Sequence, residues 1–127
     1  MTIDSNSTLW DCDSLDRSGT RISFLQKLWI DDCRDRPDAS WLLVRTSDQA
    51  IDIIKHSGMP DMISFDHDLG GDDTAMKVVH FIINSWLDKT LEIPKNFEYF
   101  VHSANPVGAD NIRGTMDRFL QEVNSVA

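Results

Sequence analysis

Short apolar runs alternate along this chain with segments of helical periodicity, and this alternation limits the fold more than any other feature. The predicted strands are the apolar runs at 27–32, 42–45, 62–66 and 99–103. The predicted helices are the segments with apolar residues at helical spacing, at 46–58, 76–87 and 112–123. Strands that alternate with helices form parallel sheets, and strands apolar on both alternations are covered on both sides. The pattern therefore predicts an α/β domain with helices on both faces of a parallel sheet.

The connection between the first two predicted strands is short. Only the residues from Cys33 to Trp41 separate these strands, whereas a parallel crossover usually needs a dozen or more. We therefore expect a loop there, with one helical turn at most. The next helix is better marked, because Thr46 followed by Gln49 is a capping-box pattern and Gly58 is a typical stop.

Length and the character of the first residues predict one domain and an extension. The chain has 127 residues, which suits a single domain. Residues 1–26 are rich in Ser, Thr, Asp and Asn, and their apolar residues show no sustained period. We assign 1–26 to an N-terminal extension that is either partly disordered or an extra edge element, and 27–127 to the domain itself.

The charge of the chain restricts its partners. The formal net charge is −9, which lacks the basic footprint of a protein that binds duplex DNA. No apolar stretch approaches the roughly 18 residues of a membrane span, and the start of the chain does not resemble a secretory signal. Two cysteines give no disulfide framework or zinc motif. We expect a cytoplasmic protein whose phosphate-bearing ligand, if it has one, is met by a metal ion, a helix N-terminus or a few arginines.

Acidic, histidine and hydroxyl side chains follow three of the four predicted strands. Because the carboxyl ends of parallel strands meet at one edge of a sheet, we expect these side chains to gather there. They are Asp31, Asp32 and Arg34 after the first strand, Asp66, His67 and Asp68 after the third, and His102, Ser103 and Asn105 after the fourth. Carboxylates placed so close repel each other unless a cation is bound, and oxygen ligands favour Mg²⁺ or Mn²⁺. The predicted metal ligands are Asp31, Asp32, Asp66 and Asp68.

The segment that leads into the last helix is a candidate anion site. Gly108 lets the backbone approach a ligand closely, and a helix N-terminus offers free N–H groups. His102 is interpreted as a general acid or base, although a histidine at a strand end is often a packed core residue. Asp72 and Asp73 are interpreted as helix caps.

Three blocks of this sequence resemble the motifs of the cyclic-phosphate processing receiver domain, a variant of the receiver domains of response regulators. The blocks are LWIDDCR at 28–34, ISFDHDLG at 63–70 and VHSANPVG at 101–108, and the resemblance covers about residues 27–120. It implies a shortened, flavodoxin-like receiver domain with strand order 2-1-3-4 across residues 27–127. No fifth strand is evident and the usual receiver lysine is missing, which argues against stable phosphoryl signalling.

The resemblance also implies roles for individual residues. Asp31 and Asp32 look like the metal-binding acids of a receiver domain, and Asp66 is similar to its phosphoacceptor. Asp68 lies where a backbone carbonyl normally reaches the metal, and Ser103 resembles the hydroxyl switch.

We expect a phosphoesterase dependent on Mg²⁺ or Mn²⁺ that processes a cyclic phosphate, either in a cyclic nucleotide or at an RNA end. The expected catalytic residues are Asp66, His67 and His102, and the expected phosphate-binding residues are Arg34, Ser103, Asn105 and Gly108. Two alternatives remain open. One is a phosphoacceptor receiver domain in signalling, and the other is a non-enzymatic module that binds a nucleotide or a protein.

Overall fold

The computed structural model of the protein describes residues 26–126, so the predicted extension lies outside the described residues except for Gln26. The described elements are β1 (Lys27–Ile30), β2 (Leu42–Val44), α1 (Ser47–Ser57), β3 (Met62–Phe65), α2 (Met76–Leu87), β4 (Glu98–Val101) and α3 (Pro106–Ser125). Each predicted strand and helix is present. The last helix begins earlier than its apolar period indicates, at Pro106. No helix within 26–126 is long and apolar enough to cross a membrane.

The four strands form one parallel sheet in the order β2-β1-β3-β4. β1 lies at the centre, where Leu28 is level with Leu42 of β2 and with Ile63 of β3. β4 extends the sheet from β3 in the same direction. This order confirms the predicted shortened, flavodoxin-like receiver fold.

All three described helices pack on one face of the sheet. The connections from β2 to β3 and from β3 to β4 step across the sheet in the same direction. Because parallel crossovers are right-handed, α1 and α2 lie on the same side, and α3 packs against α2 there. The strand side chains on that side are fully buried, as Leu28, Ile30, Ile63 and Phe65 show.

The other face of the sheet has no helix over it among residues 26–126. The predicted loop between β1 and β2 is present and contains no helix, so no helix from that connection covers this face. The expectation of helices on both faces is therefore met on one face only within the described chain. Trp29 and Trp41 lie on the other face, with ring centroids 5.5 Å apart in an edge-to-face contact. Phe100, on the same face, is 46% exposed.

The start of α1 is held by hydrogen bonds to three side chains. The Thr46 hydroxyl accepts the amide hydrogen of Gln49 at 3.1 Å, as the capping-box pattern predicts. The Gln49 side chain accepts from the amide of Arg45 at 2.7 Å, one residue earlier than in a standard capping box. Asp73 accepts the amide of Ser47 at 2.9 Å. Asp73 is therefore a cap, but for α1 rather than for α2, the helix that follows it.

Candidate functional site

Three strand ends meet at the carboxyl edge of the sheet. β1, β3 and β4 are in register up to their last residues, so the residues that come next stand side by side. They are Asp31, Asp66 and His102, and one potential ligand atom from each lies within 4.8 Å of the other two. The convergence expected from the sequence is thus present in the structure, on the sheet face that carries no described helix.

The Asp31 carboxylate is held in place by hydrogen bonds that favour its ionised form. It is fully buried, and its Oδ1 accepts the amide hydrogens of Cys33 at 3.0 Å and Arg34 at 2.9 Å. Its Oδ2 lies 3.0 Å from Nε2 of His102. Burial raises the pKa of Asp31, but these hydrogen bonds outweigh burial and hold the pKa below its ordinary value of 3.8. A carboxylate has about four acceptor positions, so Asp31 retains one for a cation.

Asp66 has the opposite electrostatic setting. It is 7% exposed, and burial together with the negative charge of Asp31 raises its pKa above 3.8. A hydrogen bond from the Ser103 side chain works in the other direction without cancelling the shift. Two adjacent carboxylates in a buried position therefore disfavour each other's ionised form until a cation or a proton arrives.

His102 does not neutralise these carboxylates. Burial lowers its pKa below 6.5 even though Asp31 lies beside it, so the imidazole is neutral at pH 7. Its Nδ1 lies 2.7 Å from the Ser64 hydroxyl and its Nε2 faces Asp31. The ring stacks on the indole of Trp29, with centroids 3.9 Å apart and planes 9° from parallel.

His67 lies apart from this group and packs against α3. A Cβ placed on Gly108 would stand 2.3 Å from Cγ of His67, so the imidazole occupies the space that glycine leaves open. Nδ1 of His67 lies 2.9 Å from Oδ1 of Asp68. The structure therefore does not bring the two histidines predicted to be catalytic to one place.

Asn105 organises the start of α3. Its Oδ1 accepts the amide hydrogen of Gly108 at 3.0 Å, and its Nδ2 donates to Oδ2 of Asp68 at 3.1 Å. Pro106 has no amide hydrogen. The Gly108 amide predicted to bind phosphate is thus engaged in the helix cap, and phosphate binding by Asn105 or Gly108 stays a prediction.

Asp32 and Asp68 differ in their relation to the buried pair. Asp32 forms a second group of mutually close ligand atoms with Asp31 and Cys33, on the solvent side of the loop. Asp68 is exposed, and hydrogen bonds from His67 and Asn105 lower its pKa. Within residues 26–126, Asp68 joins neither of these groups.

Two residues that the sequence analysis did not single out complete the site. Arg45 follows β2, and its Nη1 donates to the carbonyl oxygens of Asp31 at 3.3 Å and Arg34 at 3.0 Å. Ser64 lies inside β3 and bonds His102. Arg45 ends a strand like the other site residues, and Ser64 lies two positions before Asp66, so strand alternation places it on the same face. Both signals were present in the sequence.

The chemistry of the group fits a divalent cation. Ligands on one Mg²⁺ ion, each at about 2.1 Å from it, lie at most about 4.2 Å apart, and the three atoms here fall within 4.8 Å of one another, which is close to this limit but does not itself meet it. Two carboxylates and a neutral imidazole leave a net negative charge. Asp31 and Asp66 belong to the predicted ligand set, whereas both ring nitrogens of His102 are engaged, by Ser64 and by Asp31, so the imidazole lies beside the ligands without being one of them.

Comparison with known protein families gives one match. The family model for the cyclic-phosphate processing receiver domain matches residues 26–118. This range begins one residue before β1 and ends within α3, so it contains all three strand ends that form the site. No curated protein and no solved structure matches the chain.

Proposed function

Because the chain belongs to the cyclic-phosphate processing receiver domain family, we propose that it hydrolyses a cyclic phosphate with the help of Mg²⁺ or Mn²⁺. The substrate class is a cyclic nucleotide or an RNA end with a 2′,3′-cyclic phosphate. The observation that carries this proposal is the buried pair Asp31 and Asp66 beside a neutral His102. A neutral imidazole leaves the negative charge of the two carboxylates uncompensated, and a divalent cation would compensate it.

Asp31 and Asp66 are the residues that would hold the cation, with Asp32 next to them on the solvent side. A cation held there would act as a Lewis acid toward a phosphoryl oxygen of the substrate. Asp31 is oriented for this task by three hydrogen bonds from the protein. Asp68 is not part of the proposed ligand set, because its carboxylate is engaged by His67 and Asn105.

Arg34 and Ser103 are the proposed phosphate ligands. Arg34 is exposed, and among residues 26–126 its guanidinium makes one side-chain hydrogen bond, a long contact of 3.4 Å from Nη1 to the carbonyl oxygen of His102. Its guanidinium is therefore free to bind two phosphate oxygens at once. The Ser103 hydroxyl lies between the Asn105 amide, from which it accepts at 3.1 Å, and the Asp66 carboxylate.

Asp66 is the residue proposed to accept a proton from the attacking water, through the carboxylate oxygen that does not hold the cation. Burial and the charge of Asp31 raise its pKa in the cation-free protein, and the oxygen released by ring opening takes up a proton from solvent. His102 is less suited to this role because both of its ring nitrogens are engaged, by Ser64 and by Asp31. His67 packs against Gly108 instead of facing the buried pair.

The test is hydrolysis of 2′,3′-cyclic AMP and of a short RNA with a 2′,3′-cyclic end, each with Mg²⁺ or Mn²⁺. We expect ring opening that EDTA abolishes and that Asp66→Asn reduces at least 100-fold. Asp52→Asn is the matched control, because Asp52 is an exposed aspartate on α1. The proposal is rejected if the wild-type protein opens neither substrate, or if Asp66→Asn is as active as Asp52→Asn.

The two alternatives predict different products. A phosphoacceptor receiver domain would gain a base-labile phosphoryl group on Asp66 when incubated with acetyl phosphate, and intact-protein mass spectrometry detects that gain. A binding module would hold an unmodified cyclic nucleotide for hours without turnover. Asp66 beside the Ser103 hydroxyl is the observation that keeps the phosphoacceptor alternative in view.

A further inference from the structure

A buried polar chain runs through the site from Ser64 to Asp31. Ser64 is 2% exposed and lies between two fully buried apolar residues of β3. Its hydroxyl is 2.7 Å from Nδ1 of His102, and Nε2 of the same ring is 3.0 Å from Oδ2 of Asp31. A buried hydroxyl disfavours folding unless it has a partner, and the partner of Ser64 is the imidazole.

The two hydrogen bonds fix the orientation of the ring. A carboxylate only accepts hydrogen bonds, so Nε2 of His102 is the donor to Asp31. The Ser64 hydroxyl, which can donate or accept, bonds the other ring nitrogen, Nδ1. Ser64 thus holds the ring by the nitrogen that faces away from Asp31, and the ring cannot rotate without losing both bonds.

Trp29 holds the same ring by its face. The indole lies parallel to the imidazole at 3.9 Å. Its own Nε1 is buried and has no hydrogen-bond partner among the described residues. A tryptophan kept for its polar nitrogen would satisfy that nitrogen, so the stacking surface is what this position supplies.

We propose that Ser64 and Trp29 are positioning residues that hold His102 so that its Nε2–H orients Asp31 toward a divalent cation. The orientation of the ring stands on the contacts alone, whereas the effect on cation affinity rests on the proposed function. Partners that orient metal ligands through a hydrogen bond typically change metal affinity 10- to 100-fold when removed.

Four variants test the proposal. Ser64→Ala removes the hydroxyl that is hydrogen-bonded to Nδ1 of His102. Ser64→Thr retains a hydroxyl and should restore that bond. Ser47→Ala is the matched control, because Ser47 is also a buried serine, 1% exposed, and its hydroxyl donates to a carboxylate outside the site, that of Asp73. Trp29→Phe keeps an aromatic face and removes the unpartnered Nε1.

The first measurement is the ring N–H signal of His102 by ¹⁵N NMR, without added metal. We expect a slowly exchanging Nε2–H in the wild type, Ser64→Thr, Trp29→Phe and Ser47→Ala, and a rapidly exchanging one in Ser64→Ala. A merely structural role for Ser64 would lower thermal stability, as in Ser47→Ala, without a selective change in this signal.

The second measurement is Mn²⁺ affinity by water-proton relaxation. We expect Ser64→Ala to bind Mn²⁺ about tenfold more weakly than the wild type, and Ser47→Ala to stay within about twofold. If the wild type binds no Mn²⁺, the proposed function fails and the NMR signal alone decides the positioning role. If Ser64→Ala keeps a protected Nε2–H and wild-type affinity, the positioning role is rejected.

Discussion

Gly108 is a residue at which a single methyl group should disturb the structure. It lies in the first turn of α3, where a Cβ would stand 2.3 Å from Cγ and 2.6 Å from Nδ1 of His67. Inserting a methyl group into a packed position costs about 1–3 kcal/mol, which exceeds the roughly 1 kcal/mol that Ala gains over Gly in a helix. We expect Gly108→Ala to lower the free energy of unfolding, measured in urea.

Gly114 provides the matched control in the same helix. Apart from its own helix, a Cβ there would meet no atom of residues 26–126 within 4 Å, so Gly114→Ala should raise the free energy of unfolding by up to about 1 kcal/mol. Combining Gly108→Ala with His67→Ala should recover most of the loss. Equal effects of the two glycine substitutions would contradict the packing of His67 against α3.

Asp31 and Asp66 should respond in opposite directions to the same substitution. The pKa of Asp66 is raised, so the folded state binds a proton more tightly than the unfolded state, and stability falls as pH rises through the raised pKa. Asp66→Asn removes this penalty and should raise the melting temperature at pH 7 in EDTA. The raised pKa follows from burial and from Asp31, so a lower melting temperature would contradict that electrostatic setting.

Asp31→Asn should have the contrary effect. The pKa of Asp31 is lowered, so its contribution to stability is present above pH 3.8 and is lost as pH falls through the lowered pKa. The side-chain NH₂ of an asparagine would face one of the groups that now donate to Asp31, so a buried donor would lose its acceptor, which costs about 1–3 kcal/mol. Asp31→Asn should therefore lower the melting temperature. Thermal unfolding at pH 7 compares both variants with the wild type.

Because of His102, the stability of the protein should decrease as the pH falls below about 6.5. Its pKa is lowered by burial, so the unfolded state binds the proton first, and stability falls as pH drops from 6.5 to the lowered pKa. His102→Asn should flatten this slope in urea unfolding between pH 5 and 7.5. His80→Asn, at an exposed position of α2, should retain the slope, and an unchanged slope in His102→Asn would refute the assignment.

At the scale of the element, the start of α3 depends on Asn105. The Oδ1 cap is worth about 1 kcal/mol, so Asn105→Ala should lower the free energy of unfolding by about that amount. Asn105→Asp retains an acceptor for the Gly108 amide but loses the Nδ2 donor to Asp68. We expect Asn105→Asp to keep most of the stability in urea unfolding. A loss as large as that of Asn105→Ala would show that the bond to Asp68, not the cap, is the main contribution.

The strands and their order could be predicted from the sequence because each strand is a short apolar run that ends at polar residues. The start of α3 was predicted too late because its apolar period begins at Ile112, while Val107 in the first turn is 70% exposed. The Asn105-Pro106 pair is itself an N-terminal signature. A boundary rule based on capping residues would have placed this helix correctly.

The positions of the site residues could be predicted from the sequence only where the chain is still extended after each strand. Strand alternation places Asp66 and His67 on opposite sides, as the structure shows. Past that point the chain turns, with a bridge between Asp68 and Thr74, and alternation no longer applies. Continued alternation would have placed Asp68 beside Asp66. Because the chain turns, the Asp68 carboxylate is bonded to His67 and Asn105 instead. Contacts between residues far apart in sequence decide such positions.

At the scale of the whole molecule, the net charge disfavours binding of a phosphate, whereas the arginines at the edge of the site favour it. The net charge of −9 repels an anionic substrate at long range. Arg34 and Arg45 lie at the edge of the site and bond its backbone carbonyl oxygens. Under the proposed function, binding of a phosphate would therefore depend on local cations, from side chains and from a metal ion, instead of on a broad positive surface.

The two faces of the sheet should differ in what they contribute to stability. Phe65 of β3 is fully buried under the helices, whereas Phe100 of β4, on the other face, is 46% exposed. Replacing a buried phenylalanine with alanine costs about 3–5 kcal/mol, so Phe65→Ala should lower the free energy of unfolding by that amount. Phe100→Ala should cost only about 1 kcal/mol, because about half of this residue is already exposed and full burial of a phenylalanine is worth about 1.5–3 kcal/mol. Urea unfolding measures both, and a loss of about 3 kcal/mol from Phe100→Ala would mean that its face is covered in solution.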